Sequence, residues 1–287
     1  MVPAAAAERA SADDQQGAHV PIALPHRAVD CDSGDELSDR ALDDKLRAAR
    51  VIYVGEEHPN PHHHAAEIEV LERTYAADPS VGLGLEMLPR TMQESLDGYV
   101  NGTLDEAAFL QAVDWQHTWG FDFGFYRPLL EFCRAHHLPA FALNAPPGLA
   151  HAIAKGGIEG LTDAQKRALP ELKPGPERHR ELVREAFAQH PHGKFDEAKF
   201  ERFYLAQLVW DETMAERVAA ALKPAGAPAR LVVVAGEGHT HSFAIPDRAL
   251  RRGVAPYLTV LPVLDADEAD ARRDHAADVL WVLRSSR

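Results

Sequence analysis

The sequence predicts an α/β fold: a mostly parallel central sheet flanked by helices, with an inserted helical cap. Three observations carry this expectation. Two short apolar runs, Val51–Val54 and Leu231–Ala235, each end in Gly-Glu-x-His, as Gly55-Glu56-Glu57-His58 and Gly236-Glu237-Gly238-His239. Strand-like runs alternate with helical patterns along the chain, which requires crossover connections and so a mainly parallel sheet. Residues 148–222 show helical patterns without an intervening strand.

The elements follow in order. Residues 1–18, rich in Ala, Asp, Gln and Ser, read as a disordered lead, and residues 19–287 as a single domain. Val20–Asp32 alternates weakly and reads as an edge strand or hairpin. Ser38 is a fitting N-cap for a helix to Arg50. After the first strand, Pro59 and Pro61 bar immediate helix continuation. From about His63, the residues Ile68, Leu71 and Tyr75 share one helical face, and Asp78-Pro79 ends that helix. Val81–Met87 is the second strand. Pro89 suits a helix start, with Asn101-Gly102 as its stop, and Thr103 and Glu106 are spaced as a capping box for a short helix. The aromatic stretch Trp115–Tyr126 precedes a helix over Arg127–His136. Pro139–Asn144 is the third strand. Short helices broken by Gly156-Gly157, Pro170, Pro174 and Pro176 lead into a long helix from about Asp196 to Leu222, the cap spanning about 148–222. Its stripe of Phe200, Phe203, Tyr204, Gln207, Trp210, Asp211, Met214 and Val218 runs close to period 3.6. Leu231–Ala235, Tyr257–Leu264 and Val279–Leu283 complete the strands.

The totals bound the function. The 287 residues are 46% hydrophobic and 26% charged, enough for one substantial core. A formal charge of −14 argues against nucleic acid and anionic membranes as partners. No run reaches the roughly 18 apolar residues of a membrane span, and the start lacks the basic and Leu-rich regions of a signal peptide. Cys31 and Cys133 lie far apart in unlike contexts, so neither a disulfide framework nor a zinc ribbon is expected.

In a parallel sheet, ligands bind beyond the carboxyl ends of the strands. Glu56, Glu57 and His58, then Glu86, Asn144, and Glu237 with His239 are therefore expected in one crevice. Two histidines, His58 and His239, with two or three of these glutamates suit a divalent metal such as Zn or Mn. His241, two residues beyond His239, would point the same way in an extended chain. A spare carboxylate, Glu57 or Glu86, would serve as general base in a metal-dependent hydrolase. His62-His63-His64 cannot all serve one metal from a helix, because adjacent helical residues face apart; the run is either an exposed helix start or sends one of the three into the crevice, with His62 and His63 as the haem-contact candidates. Six aromatics in the twelve residues Trp115–Tyr126, against 7% overall, mark either a core-packing loop or a wall for a flat apolar ligand, with Trp119 prominent. Tyr99, Tyr126 and His117 are candidate haem-iron ligands. No His-Glu-x-x-His, P-loop, complete Gly-x-Gly-x-x-Gly or Gly-x-Ser-x-Gly occurs.

Gly55-Glu56-Glu57-His58 with His62-His63, Leu85-Glu86, Gln93 with Leu96 and Tyr99, Trp119, Leu143-Asn144, Gln207 with Trp210-Asp211 and Met214-Ala215, and Gly236-Glu237-Gly238-His239 together resemble the ChaN-like haem-binding uptake proteins. The resemblance covers roughly residues 28–265. That family is similar to the Tiki and TraB proteins and to erythromycin esterases. The resemblance implies haem as cofactor, Tyr99 as first candidate iron ligand, a homodimer around the haem, and envelope haem-uptake components as partners in the bacterial envelope or periplasm. The Tiki relationship implies instead a metal-dependent protease using His58, His239 and Glu86. The chain departs from the lipoprotein pattern, since no acylatable cysteine opens it; Cys31 lies inside the first structured segment.

Overall fold

A computed structural model describes residues 20–188 and 196–284; the disordered lead expected for residues 1–18 lies outside them. The described strands are β1 (His26–Asp30), β2 (Glu36–Leu37), β3 (Val51–Glu56), β4 (Val81–Pro89), β5 (Ala140–Asn144), β6 (Arg230–Gly236), β7 (Tyr257–Leu264) and β8 (Val279–Leu283). They form one eight-stranded sheet in the order β2-β1-β8-β7-β3-β6-β4-β5. Strands β3 to β8 are all parallel, and β1 and β2 close one edge as an antiparallel hairpin. The expected α/β class and mostly parallel sheet are what the chain adopts.

The helices are α1 (Asp39–Ala48), α2 (Pro61–Ala77), α3 (Gln93–Val100), α4 (Glu106–Ala112), α5 (Trp115–Thr118), α6 (Arg127–His136), α7 (Leu149–Gly156), α8 (Asp163–Arg167), α9 (Glu177–Ala188), α10 (Glu197–Ala221), α11 (Glu237–Thr240), α12 (Ile245–Arg251) and α13 (Glu268–Arg273). Side chains alternate across a strand, and here both faces are apolar, as a parallel sheet covered by helices requires. Ile52, Val54, Leu83, Leu85, Val232 and Val234 join one core with Val70 and Leu71 of α2 and Leu129 and Leu130 of α6. Val51, Tyr53, Leu231, Val233 and Ala235 face the other way, against Met214, Ala215 and Val218 of α10 and Ile245 of α12. The second half of α10 is thus a sheet-covering helix, while its first half packs with α9 through Phe200, Tyr204 and Phe187.

Local chemistry explains where the boundaries fall. Ser38 caps α1 by accepting from the Ala41 N–H, and Asp196 caps α10 by accepting from Lys199 N–H. Pro89 ends strand β4 and caps a 3-10 turn over Arg90–Met92 that leads directly into α3, so the proline does stand at the helical start. One expectation is corrected. The expected capping box of Thr103 and Glu106 does not form: Asp105 caps α4 by accepting from Ala108 N–H, and the Thr103 hydroxyl donates to the Gly98 carbonyl. Glu106 instead accepts both fork hydrogens of Arg127 at 2.7 Å each.

Cys31 and Cys133 are buried free thiols. Burial pushes the Cys133 thiol up to about 12. Neither cysteine is expected to react with a thiol reagent at pH 8 in the native protein, and both in urea; prompt labelling of the native protein would contradict this packing.

Candidate functional site

Parallel register sets the site. Glu56 pairs with Gly236 across β3 and β6, and Leu85 pairs with Val234 across β4 and β6. The carboxyl ends of these neighbours therefore present His58, Glu86 and the segment after Gly236 at one edge. A cavity of about 450 Å³ opens there. Its floor carries His58, Glu86, Asn144 and His239, and α5, α7 and α10 supply its walls.

The pleat decides which of the adjacent glutamates turns inward. Glu56 follows Ile52 and Val54 onto the α2 face and is fully buried, whereas Glu57 is exposed and accepts from the Asn60 amide at 3.0 Å. Glu57, expected as a catalytic carboxylate, thus lies outside the cavity. Glu56 Oε1 sits 2.6 Å from His58 Nδ1. Burial alone would lower the His58 pKa, but the hydrogen bond and charge of Glu56 outweigh it and leave the imidazole above its ordinary value.

His239 is anchored in the same manner from the opposite side. Its Nδ1 lies 2.6 Å from Oδ1 of Asp211 on α10, and its Nε2 lies 3.4 Å from Glu86 Oε1. Burial disfavours the charged ring, yet Glu86 and Asp211 raise its pKa. Asp211 is held by the buried Arg248 and His179, whose Nε2 is 3.0 Å from Oδ2. Desolvation opposes ionisation of Asp211, but the charge of Arg248 and the hydrogen bonds of His179 and His239 win and hold it well below the usual carboxylate range. Both Nδ1 atoms being clamped by carboxylates fixes ring orientation and leaves the Nε2 atoms toward the crevice.

The motif glycines have steric reasons. A Cβ on Gly55 would come within 2.6 Å of Thr240 Oγ1 and 3.3 Å of the Glu237 backbone. A Cβ on Gly236 would stand 3.0 Å from His58 Cε1 and 3.6 Å from Glu86 Oε2, whose carboxylate accepts from Gly236 N–H at 2.6 Å. Gly236→Ala is expected to displace the His58 ring and cost about 1–3 kcal/mol by overpacking; an unfolding midpoint and crystal structure indistinguishable from the parent would contradict it.

The other expected residues separate clearly. Trp119 lines the cavity, stands edge-on to His58 at 4.7 Å, and donates to the Tyr126 hydroxyl at 3.0 Å. Tyr126 in turn donates to Glu56 Oε1 at 3.1 Å; it is buried behind the cavity, and burial holds its hydroxyl far from ionisation. Tyr99 does not line the cavity. It stacks on Phe109 at 4.7 Å, and burial raises its pKa to about 12. Asn144 reaches the floor and donates to the Glu86 carbonyl at 2.9 Å. His117 stands at the cavity mouth, its side chain 83% exposed and its Nδ1 2.8 Å from Asp114.

Three histidines at the start of α2 diverge. His62 Nδ1 is 2.7 Å from the Ile22 carbonyl, and His63 Nδ1 accepts from Glu57 N–H at 3.1 Å. Neither lines the cavity; burial lowers His63 to about 4. His64 is the member that turns inward, toward Glu56 and Glu67. His241 is corrected as a companion of His239: the chain after Gly236 coils into α11 rather than extending, and His241 Nδ1 meets the Ala276 carbonyl at 3.1 Å. Sequence reasoning missed Asp211 as the partner of His239, and His151 on the α7 wall. Asp211 had a signal, since an acid on an otherwise apolar helical stripe needs a buried partner.

Fold and crevice together define an α/β protein with a polar-floored cavity at the carboxyl edge of a parallel sheet. The chain belongs to the family described as "Haem-binding uptake, Tiki superfamily, ChaN", which matches residues 42–249. ChaN of Campylobacter jejuni, solved with cofacially bound haem, shares the fold, with a TM-score of 0.66 at 18% identity over 91% of this chain and 97% of that one. An erythromycin esterase mutant in its open conformation is similar at a TM-score of 0.49 and 12% identity, over 78% of this chain and 72% of that one. Protein RETICULATA-RELATED 5, chloroplastic, of Arabidopsis thaliana is 25% identical over 266 residues, 83% of this chain. The chain spans only 34% of that relative's length.

Proposed function

We propose that this chain binds haem in the cavity at the carboxyl ends of β3, β4, β5 and β6, as a haem-binding protein of bacterial iron or haem acquisition. Membership of the haem-binding uptake family carries the reading, and the cavity fits the group. Its volume of about 450 Å³ lies within the span of small-molecule sites. Trp119, Trp210, Phe203, Pro146 and Pro147 offer apolar walls suited to a flat ring. An envelope or periplasmic location, a homodimer and envelope uptake partners belong to the same proposal and rest on the family alone.

The residues favour histidine over tyrosine at the iron. A tyrosine ligand binds as tyrosinate, and burial opposes ionisation of both Tyr99 and Tyr126. His117 and His151 line the cavity instead, and imidazole is an ordinary axial ligand. Bound haem would supply its iron for transfer; the protein's part is to hold the ring. In a haemin titration, Tyr99→Phe is expected to leave the Soret band and the affinity unchanged. Loss of the band in that variant would return the ligand role to Tyr99.

A second reading, a metal-dependent hydrolase, is favoured by one observation: both crevice histidines are anchored through Nδ1 by carboxylates, as metal ligands commonly are. His58, His239 and Glu86 would hold a Zn or Mn ion, which would supply an activated water. Elemental analysis of the purified protein, with hydrolysis assays on peptide and ester substrates after adding metal, tests it; metal-free, inactive protein would remove it.

A further inference from the structure

Behind the crevice, on the α2 face of the sheet, Glu56, His64 and Glu67 converge. Each is fully buried. Among the described residues they are the three ligand-type side chains whose donor atoms all lie within 4.8 Å of one another. His64 Nδ1 is 3.1 Å from Glu56 Oε2 and 3.1 Å from Glu67 Oε2. The other ring nitrogen, Nε2, is 2.9 Å from the His58 carbonyl. A carbonyl only accepts, so Nε2 carries the hydrogen, and a neutral ring then turns the bare lone pair of Nδ1 toward two carboxylate oxygens. Three acceptor atoms facing one another need a proton or a cation between them.

A proton on Nδ1 serves that need poorly. One hydrogen cannot satisfy two acceptors at equal distance, and an imidazolium beside two carboxylates leaves a net negative charge with no solvent. Glu56 Oε2 and Glu67 Oε1 lack any hydrogen-bond partner while wholly buried. A buried carboxylate keeps its charge only where it is paired or bound to metal. The spacing suits an ion: ligands at 2.0–2.1 Å around a tetrahedral zinc stand about 3.3–3.4 Å apart, close to the two 3.1 Å separations seen.

We propose that Glu56, His64 and Glu67 form a buried divalent-cation site, of the zinc or manganese class, separate from the haem cavity. His64 Nδ1 and Glu56 Oε2 supply two donors, and Glu67 supplies its carboxylate, with the otherwise unpartnered Oε1 completing the set. Phe125 stacks on His64 at 4.6 Å and Tyr126 stands edge-on at 4.9 Å, so the site is walled by aromatics. The ion is therefore acquired as the chain folds, as structural metals commonly are. Its role is positional. Glu56 grips the ion through Oε2 and His58 through Oε1, so the cation fixes the carboxylate that orients the crevice histidine. The proposal goes beyond haem binding and does not depend on it.

The test uses full-length protein expressed, or refolded, with zinc and manganese present and then dialysed against EDTA. Mass-spectrometric metal analysis is run on the parent, His239→Ala and the double variant H64Q/E67Q. His239→Ala removes a crevice ligand and leaves the buried set intact. About one chelator-resistant ion per chain is expected in the parent and in His239→Ala, as for a structural site, with loss in H64Q/E67Q. Should the double variant fail to fold, an anomalous-difference map of the parent at the metal edge gives the answer, with a peak expected between Glu56, His64 and Glu67. Folded parent that carries no ion after either preparation overturns the proposal. So does retention of the ion by H64Q/E67Q, or a peak lying between His58 and His239 alone.

Discussion

Asp211→Ala is expected to lower the unfolding free energy by about 3–5 kcal/mol, the usual cost of stranding a buried charge by removing its partner. Asp211 is fully buried and faces three side chains at once, the Arg248 guanidinium and the rings of His179 and His239. Without it, Arg248 keeps Glu212 at 3.5 Å and the carbonyls of Phe243 and Ala244, which places the loss toward the lower end of that range. The pH dependence has a definite sign. The folded state holds the Asp211 pKa below its unfolded value, so the native chain binds fewer protons here than the unfolded one. Its contribution is complete above the unfolded value of about 3.9 and drains away as pH falls toward the folded value. Urea titrations should therefore show a parent-to-variant gap at pH 7 that narrows at pH 3. A gap below about 1 kcal/mol at pH 7, no larger than an exposed pair gives, would contradict the network.

The second large effect concerns the iron. Removing both rim histidines, as His117→Ala with His151→Ala, is expected to weaken haem binding tenfold or more, the equivalent of about 1.4 kcal/mol, and to shift the Soret maximum. Both residues line the mouth and neither is buried, so the double variant should fold with unchanged stability, since exposed positions tolerate substitution. An unchanged spectrum and affinity would transfer the axial role to a crevice histidine, His58 or His239.

Much of this could be read from the chain. Val51–Val54 and Leu231–Ala235 announced themselves because a parallel strand covered on both faces is a continuous apolar run. The Gly-Glu-x-His endings located the crevice because parallel strands deliver their carboxyl ends to one edge. Side-chain direction was harder. Glu56 and Glu57 are adjacent and chemically alike, and only the pleat, set by Ile52 and Val54, sends Glu56 inward and Glu57 to solvent. His64 was hidden among three histidines for a related reason: its direction depends on how α2 packs against β3 and on Glu67 one turn later. Tyr99 looked suitable as an iron ligand because its burial against Phe109 depends on α4, a contact that no local pattern encodes. The switch from an extended chain to α11 after Gly236 turned His241 away, and nothing in the Gly-Glu-Gly-His-Thr-His run distinguishes the two courses.

Haem held in the cavity between α5, α7 and α10 would be displaced by bulk added to its α7 wall. Ala154 lines that cavity from α7, and Ala154→Trp would fill part of its volume without touching the floor. Haemin titration followed at the Soret band, parent against Ala154→Trp, tests the claim most directly. Saturable binding by the parent at one haem-binding cavity per chain, with at least a tenfold loss of affinity in the variant, is expected. No saturable Soret change in the parent, or equal binding by the two proteins, would contradict it.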